Sequence, residues 1–101
     1  MPQFDVLRTR AAAIYPFVVD VQADVHGKLA TRIVVPLVAR GRYLQPATRL
    51  TPIMKVRDDD YVVLFPLLAA VPRTALGEVV GSLAAQRQTL LAALGLLVTG
   101  S

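Results

Sequence analysis

Hydrophobic residues are densest near the end of the chain, in residues 83–98, and this stretch predicts an α-helix. It is rich in strong helix formers, contains no proline, and would be roughly 24 Å long at about 1.5 Å per residue. Apolar residues at three- and four-residue steps predict one face for a core. That face comprises Leu83, Leu90, Leu91, Leu94, Leu97 and Val98.

The other side of the predicted helix is also apolar, because Ala92, Ala93 and Leu96 carry no polar group. A helix that is hydrophobic all round needs cover on every side, and a chain of 101 residues has few other elements to supply it. We therefore predict a homodimer. The uncharged run of residues 88–101 is shorter than the roughly 20 residues that a bilayer span requires, so we expect no membrane insertion.

Alternating apolar and polar residues predict strands in the first part of the chain. The strongest pattern occupies residues 17–23, and residues 3–8 and 30–38 predict two further strands. Because Pro36 cannot donate to a ladder, the third strand is expected to end, bulge or lie at an edge there. In the second strand one face holds Phe17, Val19, Val21 and Ala23, and the other holds Val18, Asp20 and Gln22.

A hairpin is predicted in the middle of the chain, where residues 51–56 and 61–65 flank the polar stretch 57–60. Residues 58–60 are three consecutive aspartates, and carboxylates are ligands for hard cations. The chain has no second acidic cluster to complete a metal site. A solvated turn is therefore the preferred interpretation.

The remaining segments complete the fold-class prediction. Residues 67–71 predict a last short strand before Pro72. Residues 74–82 predict a turn or a single helical turn, with Ser82 as the N-cap of the final helix. Five to seven strands and one C-terminal helix give a small antiparallel β-barrel or bent sheet that carries a helix. We expect residues 1–101 to form one domain.

Composition supports an oligomer. Hydrophobic residues make up 54% of the chain and the mean hydropathy is +0.53, which is high for a soluble monomer. The net charge of +4 lies in the first half, but its basic residues are scattered, so solvated surface charge is preferred to a nucleic-acid patch. The start of the chain has neither the basic region nor the apolar core of a signal peptide, and we expect a cytoplasmic protein.

Catalytic and metal-binding patterns are missing from the sequence. There is no cysteine, which excludes disulfides and Cys-based metal sites. His26 is the only histidine, and it falls on a predicted turn. No Gly-rich phosphate loop, dinucleotide fingerprint or serine elbow is visible. We predict no catalytic residue, no metal ligand and no cofactor.

The order and spacing of several segments resemble the CcdB family, the toxins of type II toxin–antitoxin modules. The resemblance covers nearly the whole chain. The matching positions are Gln3, Phe4, Phe17, Val18, Asp20, Val21, Gln22, Asp24, Val34, Val35, Pro36, Leu37, Pro52, Ala69, Val71, Pro72, Gly77, Glu78, Val80, Leu83 and Gly100.

The resemblance implies an SH3-like antiparallel barrel with a C-terminal helix, and a two-fold dimer formed through the helix region. It implies a toxin that binds the A subunit of DNA gyrase, a topoisomerase, and traps its cleaved-DNA complex. A CcdA-like antitoxin with a disordered tail would wrap the dimer, and operator DNA would be bound only together with the antitoxin in transcription regulation. The dimer contact is expected to include Asp20, Val21, Gln22, Ala23, Leu96, Leu97 and Val98.

This chain departs from the gyrase-poisoning members at the end of the helix. Those members end in Trp-Gly-Ile, whereas Thr99 and Ser101 here replace the large apolar residues and Gly100 is kept. The implied target turn keeps one aliphatic residue and replaces the other by histidine. The target-binding positions carried over from the family are Val25, His26, Gly95, Thr99, Gly100 and Ser101.

Three functional hypotheses follow. The first is a toxin that still acts on gyrase or another topoisomerase with altered affinity. The second is a diverged relative that binds an antitoxin and regulates its operon but has a different or lost target. The third is an endoribonuclease like the MazF/Kid toxins, which use the same barrel, with His26 and Arg32 as candidate residues.

Overall fold

Seven antiparallel strands and one C-terminal α-helix form the regular structure of residues 2–10, 15–23 and 29–100, the part of the chain that the computed structural model describes. The sheet is curled into a half-barrel, which confirms the predicted bent sheet with one helix. The elements are β1 (Asp5–Thr9), β2 (Phe17–Asp20), β3 (Thr31–Ala39), β4 (Ile53–Val56), β5 (Asp59–Val63), β6 (Ala69–Pro72), β7 (Leu76–Ser82) and α1 (Arg87–Thr99).

The central strand β3 divides one of its edges between two partners. The strand order is β4-β5-β3-β2-β1-β7, and β6 also pairs with β3. Along that edge, β6 pairs from Thr31 to Val34 and β5 pairs from Leu37 to Ala39. Pro36 lies between the two, where its carbonyl accepts a hydrogen bond from the Leu64 N–H at 3.0 Å. Of the three expectations for Pro36, the end of the strand is not observed. Instead, the strand that pairs with this edge of β3 changes there from β6 to β5.

The two faces of the sheet carry separate apolar clusters because successive side chains point to opposite sides. The main core lies between the sheet and α1, and the smaller cluster lies on the opposite face and consists of Leu7, Val18, Val34 and Leu76. The main core contains Phe4, Val6, Val19, Val21, Val35, Leu37, Met54, Val56, Val63, Phe65, Val80, Leu83, Leu90 and Ala93.

The predicted helix is present, but its inward face differs from the prediction. Leu91 and Val98 were expected in the core and are 39% and 76% exposed. Ala93 was assigned to the uncovered side and is 2% exposed. At about 100° per residue, Leu91 and Val98 lie about a quarter turn from the buried line. That line consists of Leu90 and Ala93, with the partly buried Leu94 and Leu97.

The prediction for residues 74–82 was wrong, because this segment contains β7 after a 3₁₀ turn at Arg73–Ala75. β7 pairs antiparallel with β1 through two irregularities in register. Gly77 approaches β1 so closely that a Cβ there would lie 3.0 Å from the Arg8 carbonyl oxygen. Ser82 is not the N-cap of α1, which is Gln86; its hydroxyl accepts a hydrogen bond from the Ala84 N–H at 3.1 Å, at the start of the 3₁₀ turn Ala84–Gln86.

The predicted hairpin is formed by β4 and β5, and its turn has two residues. Arg57 and Asp58 have φ values of 51° and 73°, the left-handed values of a tight type I′ hairpin turn. The second and third aspartates of the run belong to β5 and are exposed. Asp60 lies 3.6 Å from the Lys55 Nζ. Among the described residues, no group of three or more metal-ligating side chains is positioned to hold a metal ion.

Candidate functional site

The exposed side of α1 forms the first candidate surface. Leu91 and Val98 are exposed apolar side chains, and Gly95 and Leu96 beside them are half-buried. The Thr99 hydroxyl donates to the Gly95 carbonyl at 2.7 Å, so it is bonded within its own helix. The carried-over positions Gly95, Thr99 and Gly100 therefore lie together at the end of α1, whereas Val25, His26 and Ser101 fall outside the described residues.

The helix ends in a left-handed cap. Gly100 has φ 79°, and its N–H donates to the Leu96 carbonyl at 2.9 Å. This conformation favours glycine because a Cβ would be strained there. The left-handed helix cap therefore explains why position 100 is a glycine, whether or not this residue contacts a target.

The chain that leaves β2 is the second part of this region, and three separate donors hold it. The Asp20 carbonyl accepts from the Phe4 N–H at 2.5 Å. The next carbonyl, that of Val21, accepts from Gln3 Nε2 at 3.0 Å. The Gln22 carbonyl accepts from Arg32 Nη2 at 3.3 Å. One backbone and two side-chain donors therefore hold the chain where β2 ends and fix the direction in which it leaves the sheet.

A buried ion pair lies beneath this exit. The side chains of Asp20 and Arg32 are both 0% exposed, and Arg32 Nη2 lies 2.8 Å from Asp20 Oδ2. Asp20 Oδ1 accepts from the Gln22 N–H at 3.0 Å, and Gln22 Oε1 accepts from the Ile33 N–H at 3.0 Å. Arg32, a candidate residue of the ribonuclease hypothesis, is fully enclosed and bonded to Asp20, so its guanidinium offers no surface to RNA in this structure.

The same burial bears on the predicted dimer contact. Asp20 and Val21 are covered within the subunit, and Leu97 packs against the main core. Ala23 and Val98 are exposed, and Gln22 and Leu96 are half-buried. The dimer contact stays a prediction, and a partner could reach these four residues and the uncovered part of the half-buried Leu97.

The start of the chain links α1 to the exit of β2. Arg87 Nη1 donates to Gln3 Oε1 at 2.8 Å, while the Gln3 amide donates to Val21 as described. The Arg87 guanidinium also lies over the Phe4 ring, 5.7 Å from its centroid. Phe4 is buried with φ 71°, an unusual value for a bulky residue. These bonds bring the two parts of the candidate surface into one rigid arrangement.

A groove on the opposite face of the sheet was not indicated by the sequence pattern. It consists of two hollows of about 450 Å³ each, which share Tyr15 and Leu67. The lining comes from at least four separate segments, so no local pattern could have identified it. One hollow is also lined by Thr9, Val18, Val34, Pro36, Ala69 and Val71, and the other by Val38, Arg42, Tyr43, Thr51, Leu64 and Pro66.

Comparison with known protein families agrees with this architecture. The family model described as CcdB protein matches residues 3–100. Among the described residues, no helix has the length and hydrophobicity that crossing a membrane requires. CcdB proteins are toxins of toxin–antitoxin systems and not a family of catalytic enzymes. Because the match covers almost the entire sequence, the chain belongs to the CcdB family.

Proposed function

We propose that the protein is a toxin that works as a homodimer and binds the A subunit of DNA gyrase, or a related topoisomerase, without catalysing a reaction. The observation that carries this proposal is the uncovered apolar side of α1, where Val98 is 76% exposed one residue before Thr99. Apolar side chains exposed together mark contact surfaces. A twin subunit would cover this side and place two helix ends next to each other.

The affinity for gyrase is expected to be low. The gyrase-poisoning relatives insert a tryptophan at the position of Thr99, and loss of such a buried anchor costs about 2 kcal/mol or more, roughly 30-fold in affinity. Thr99 is small, and its hydroxyl is already bonded to Gly95. It therefore offers a target little apolar area.

A supercoiling assay with purified gyrase tests this proposal. We expect weak inhibition by the unmodified protein and stronger inhibition, with more cleaved DNA, after Thr99→Trp combined with Ser101→Ile. Thr89→Trp is the matched control, because it adds the same aromatic ring to an exposed position at the other end of α1.

Two results would count against the proposal. Strong stabilisation of cleaved DNA by the unmodified protein at sub-micromolar concentration would contradict the reduced affinity. Equal inhibition of supercoiling by the double variant and by the Thr89→Trp control would mean that the C-terminal end of α1 does not bind gyrase.

The second candidate function is antitoxin binding and operon regulation by a protein whose original target is changed or lost. The replaced anchors at Thr99 and Ser101 favour it. It predicts no growth arrest when the protein is expressed alone, together with tight binding of an antitoxin encoded beside it. Growth arrest that the antitoxin relieves would favour the first function.

A further inference from the structure

Gln22, the second residue after β2, is held at three of its polar atoms. Its N–H donates to Asp20 Oδ1 at 3.0 Å, and its carbonyl accepts from Arg32 Nη2 at 3.3 Å. Its side-chain Oε1 accepts from the Ile33 N–H at 3.0 Å, beside the backbone bond from the Val21 N–H to the Ile33 carbonyl. We refer to the three bonds to Gln22 as the exit clamp, because they fix both the backbone and the side chain of a residue beyond the end of the strand.

Two bonds of the exit clamp come from the buried ion pair. Arg32 Nε donates to Asp20 Oδ2 at 2.9 Å, and Nη2 lies 2.8 Å from the same oxygen. Arg32 Nη2 also reaches the Gln22 carbonyl, and the second carboxylate oxygen of Asp20 is left for the Gln22 N–H. The planar fork of N–H donors on a guanidinium suits this double contact, whereas an ammonium is a single point charge. The ion pair therefore holds the next stretch of chain as well as its own two side chains.

Stability within the subunit is a poor explanation for this ion pair. Both side chains are 0% exposed, and apolar residues of similar volume often replace a buried ion pair without loss of stability. Apolar side chains could not, however, bond to the backbone N–H and carbonyl of Gln22. The function that only the charged pair can perform is to hold that backbone.

The exit clamp acts on a part of the chain that a partner could reach. Gln22 is half-buried and Ala23, which follows it, is exposed. Both belong to the predicted dimer contact, together with Leu96 and Val98 on α1. Fixing the backbone of a residue costs conformational entropy, and a residue that is already fixed in the free subunit avoids this cost on association.

We propose that Arg32 and Asp20 are positioning residues for the dimer contact, and that they hold Gln22 and Ala23 in the arrangement that a second copy of the chain meets. Neither side chain touches the second copy, and both act through Gln22. This positioning role rests on the proposed function in one respect, namely that the protein is a homodimer.

Asp20→Leu combined with Arg32→Met tests the positioning role, because it removes both bonds to the Gln22 backbone and fills the enclosed site with apolar side chains. We expect the dimer dissociation constant in sedimentation measurements to rise about tenfold, since the loosened residues must then be ordered on association. The Gln22 amide proton should exchange with solvent about tenfold faster relative to that of Leu64. The Leu64 N–H is bonded to the Pro36 carbonyl at 3.0 Å and reports any general loss of stability.

Arg8→Gln combined with Glu78→Gln is the matched control, because it removes an ion pair that is exposed and has an N–O distance of 3.1 Å. Association and the Gln22 amide should both keep their parent values. Arg32→Lys is a second variant that keeps a cation beside Asp20 and serves the test if the apolar pair fails to fold. Its ammonium replaces the fork of donors, and we expect the dissociation constant to rise about threefold.

The positioning role would be overturned by a folded apolar variant that associates as the parent does. It would also be overturned by a Gln22 amide that exchanges no faster relative to Leu64, or by an equal loss of association in the control. A parent that is monomeric at micromolar concentration would overturn the homodimer of the proposed function, and the positioning role with it. The two failures are distinguishable because the parent stays dimeric in the first and not in the second.

Discussion

Arg57 combines a strained backbone with a long-range hydrogen bond. Its φ of 51° lies in the left-handed region, which costs a non-glycine residue roughly 1 kcal/mol. Its side chain reaches from the β4–β5 turn to β7, where Nε donates to the Val80 carbonyl at 2.7 Å. Since β4 and β7 are the two ends of the strand order, this bond spans the open seam of the half-barrel.

Arg57→Gly and Arg57→Ala separate the two effects. Both variants lose the bond to Val80, but only glycine relieves the strain, so we expect Arg57→Gly to be about 1 kcal/mol more stable than Arg57→Ala in urea unfolding. At Lys55, in the interior of β4, the order should reverse because glycine weakens a strand. Equal stabilities at Arg57 would show that the turn is not strained.

The buried pair of Asp20 and Arg32 gives a second prediction at this scale. Asp20→Leu leaves an enclosed guanidinium without its carboxylate, and we expect it to cost about 3–5 kcal/mol of unfolding free energy. Adding Arg32→Met to that variant should recover much of the loss, because two apolar side chains then share the site. Removing the exposed pair of Arg8 and Glu78 should cost less than about 1 kcal/mol.

Equal costs for Asp20→Leu and for its combination with Arg32→Met would contradict a role for the ion pair itself. The sequence pattern placed Asp20 on the same strand face as Val18 and Gln22, but it could not identify Arg32 as its partner. The pairing depends on the register of β2 and β3, which sets Asp20 opposite Val34. Alternation within one strand carries no information about that register.

At the scale of elements, the helix was predictable and its rotation was not. Leucine and alanine occur on all sides of α1, so the pattern gives only a weak direction for the core. The structure turns Ala93 toward the sheet, where a small side chain lets the helix approach closely. Packing against the sheet, and not helical periodicity, therefore decides which apolar residues are left for a partner.

Ala93→Leu and Ala92→Leu test this rotation. Ala93 is enclosed, so added methyl groups should overpack the core and cost about 1–3 kcal/mol of unfolding free energy. Ala92 is exposed, and the same change there should stay within about 0.5 kcal/mol. A larger cost for Ala92→Leu than for Ala93→Leu would contradict this rotation of the helix.

Strand β7 was missed for a related reason. Gly77 and Gly81 suggested turns, whereas in the structure both lie within β7, where Gly77 packs closely against the Arg8 carbonyl and Gly81 faces Val56. A Cβ at Gly81 would lie 3.4 Å from Val56 Cγ1. Whether a glycine marks a turn or a close contact depends on a neighbour that is distant in sequence.

At the scale of the whole molecule, self-association is the leading expectation. Val98→Asp places a charge in the exposed apolar side of α1, and we expect the dimer dissociation constant to rise about tenfold or more in sedimentation measurements. Val79→Asp changes an equally large exposed side chain on β7 and should leave association unchanged. A parent protein that is monomeric at micromolar concentration would reject the dimer.

The candidate site was predictable in part. The end of α1 could be located because apolar periodicity and family resemblance point to the same residues. The groove could not be located, since Tyr15, Arg42 and Leu67 meet only after the strands have paired. Charge counts along the chain showed a basic first half, but not that Arg40, Arg42 and Arg49 form no hydrogen bond or ion pair through their guanidinium groups with a described residue.

At Pro36 the partner strand on one edge of β3 changes. On one side of it β6 holds the first half of β3, and on the other β5 holds the second half, so neither partner spans the whole strand. On this edge each half of β3 has its own hydrogen-bonding partner, while β2 pairs across Pro36 on the other edge. Amide protons of β3 that are bonded to β6 can lose their protection when β6 detaches, while the β4–β5 hairpin stays closed. Local unfolding of the sheet should therefore release β6 and the β4–β5 hairpin from β3 in separate steps.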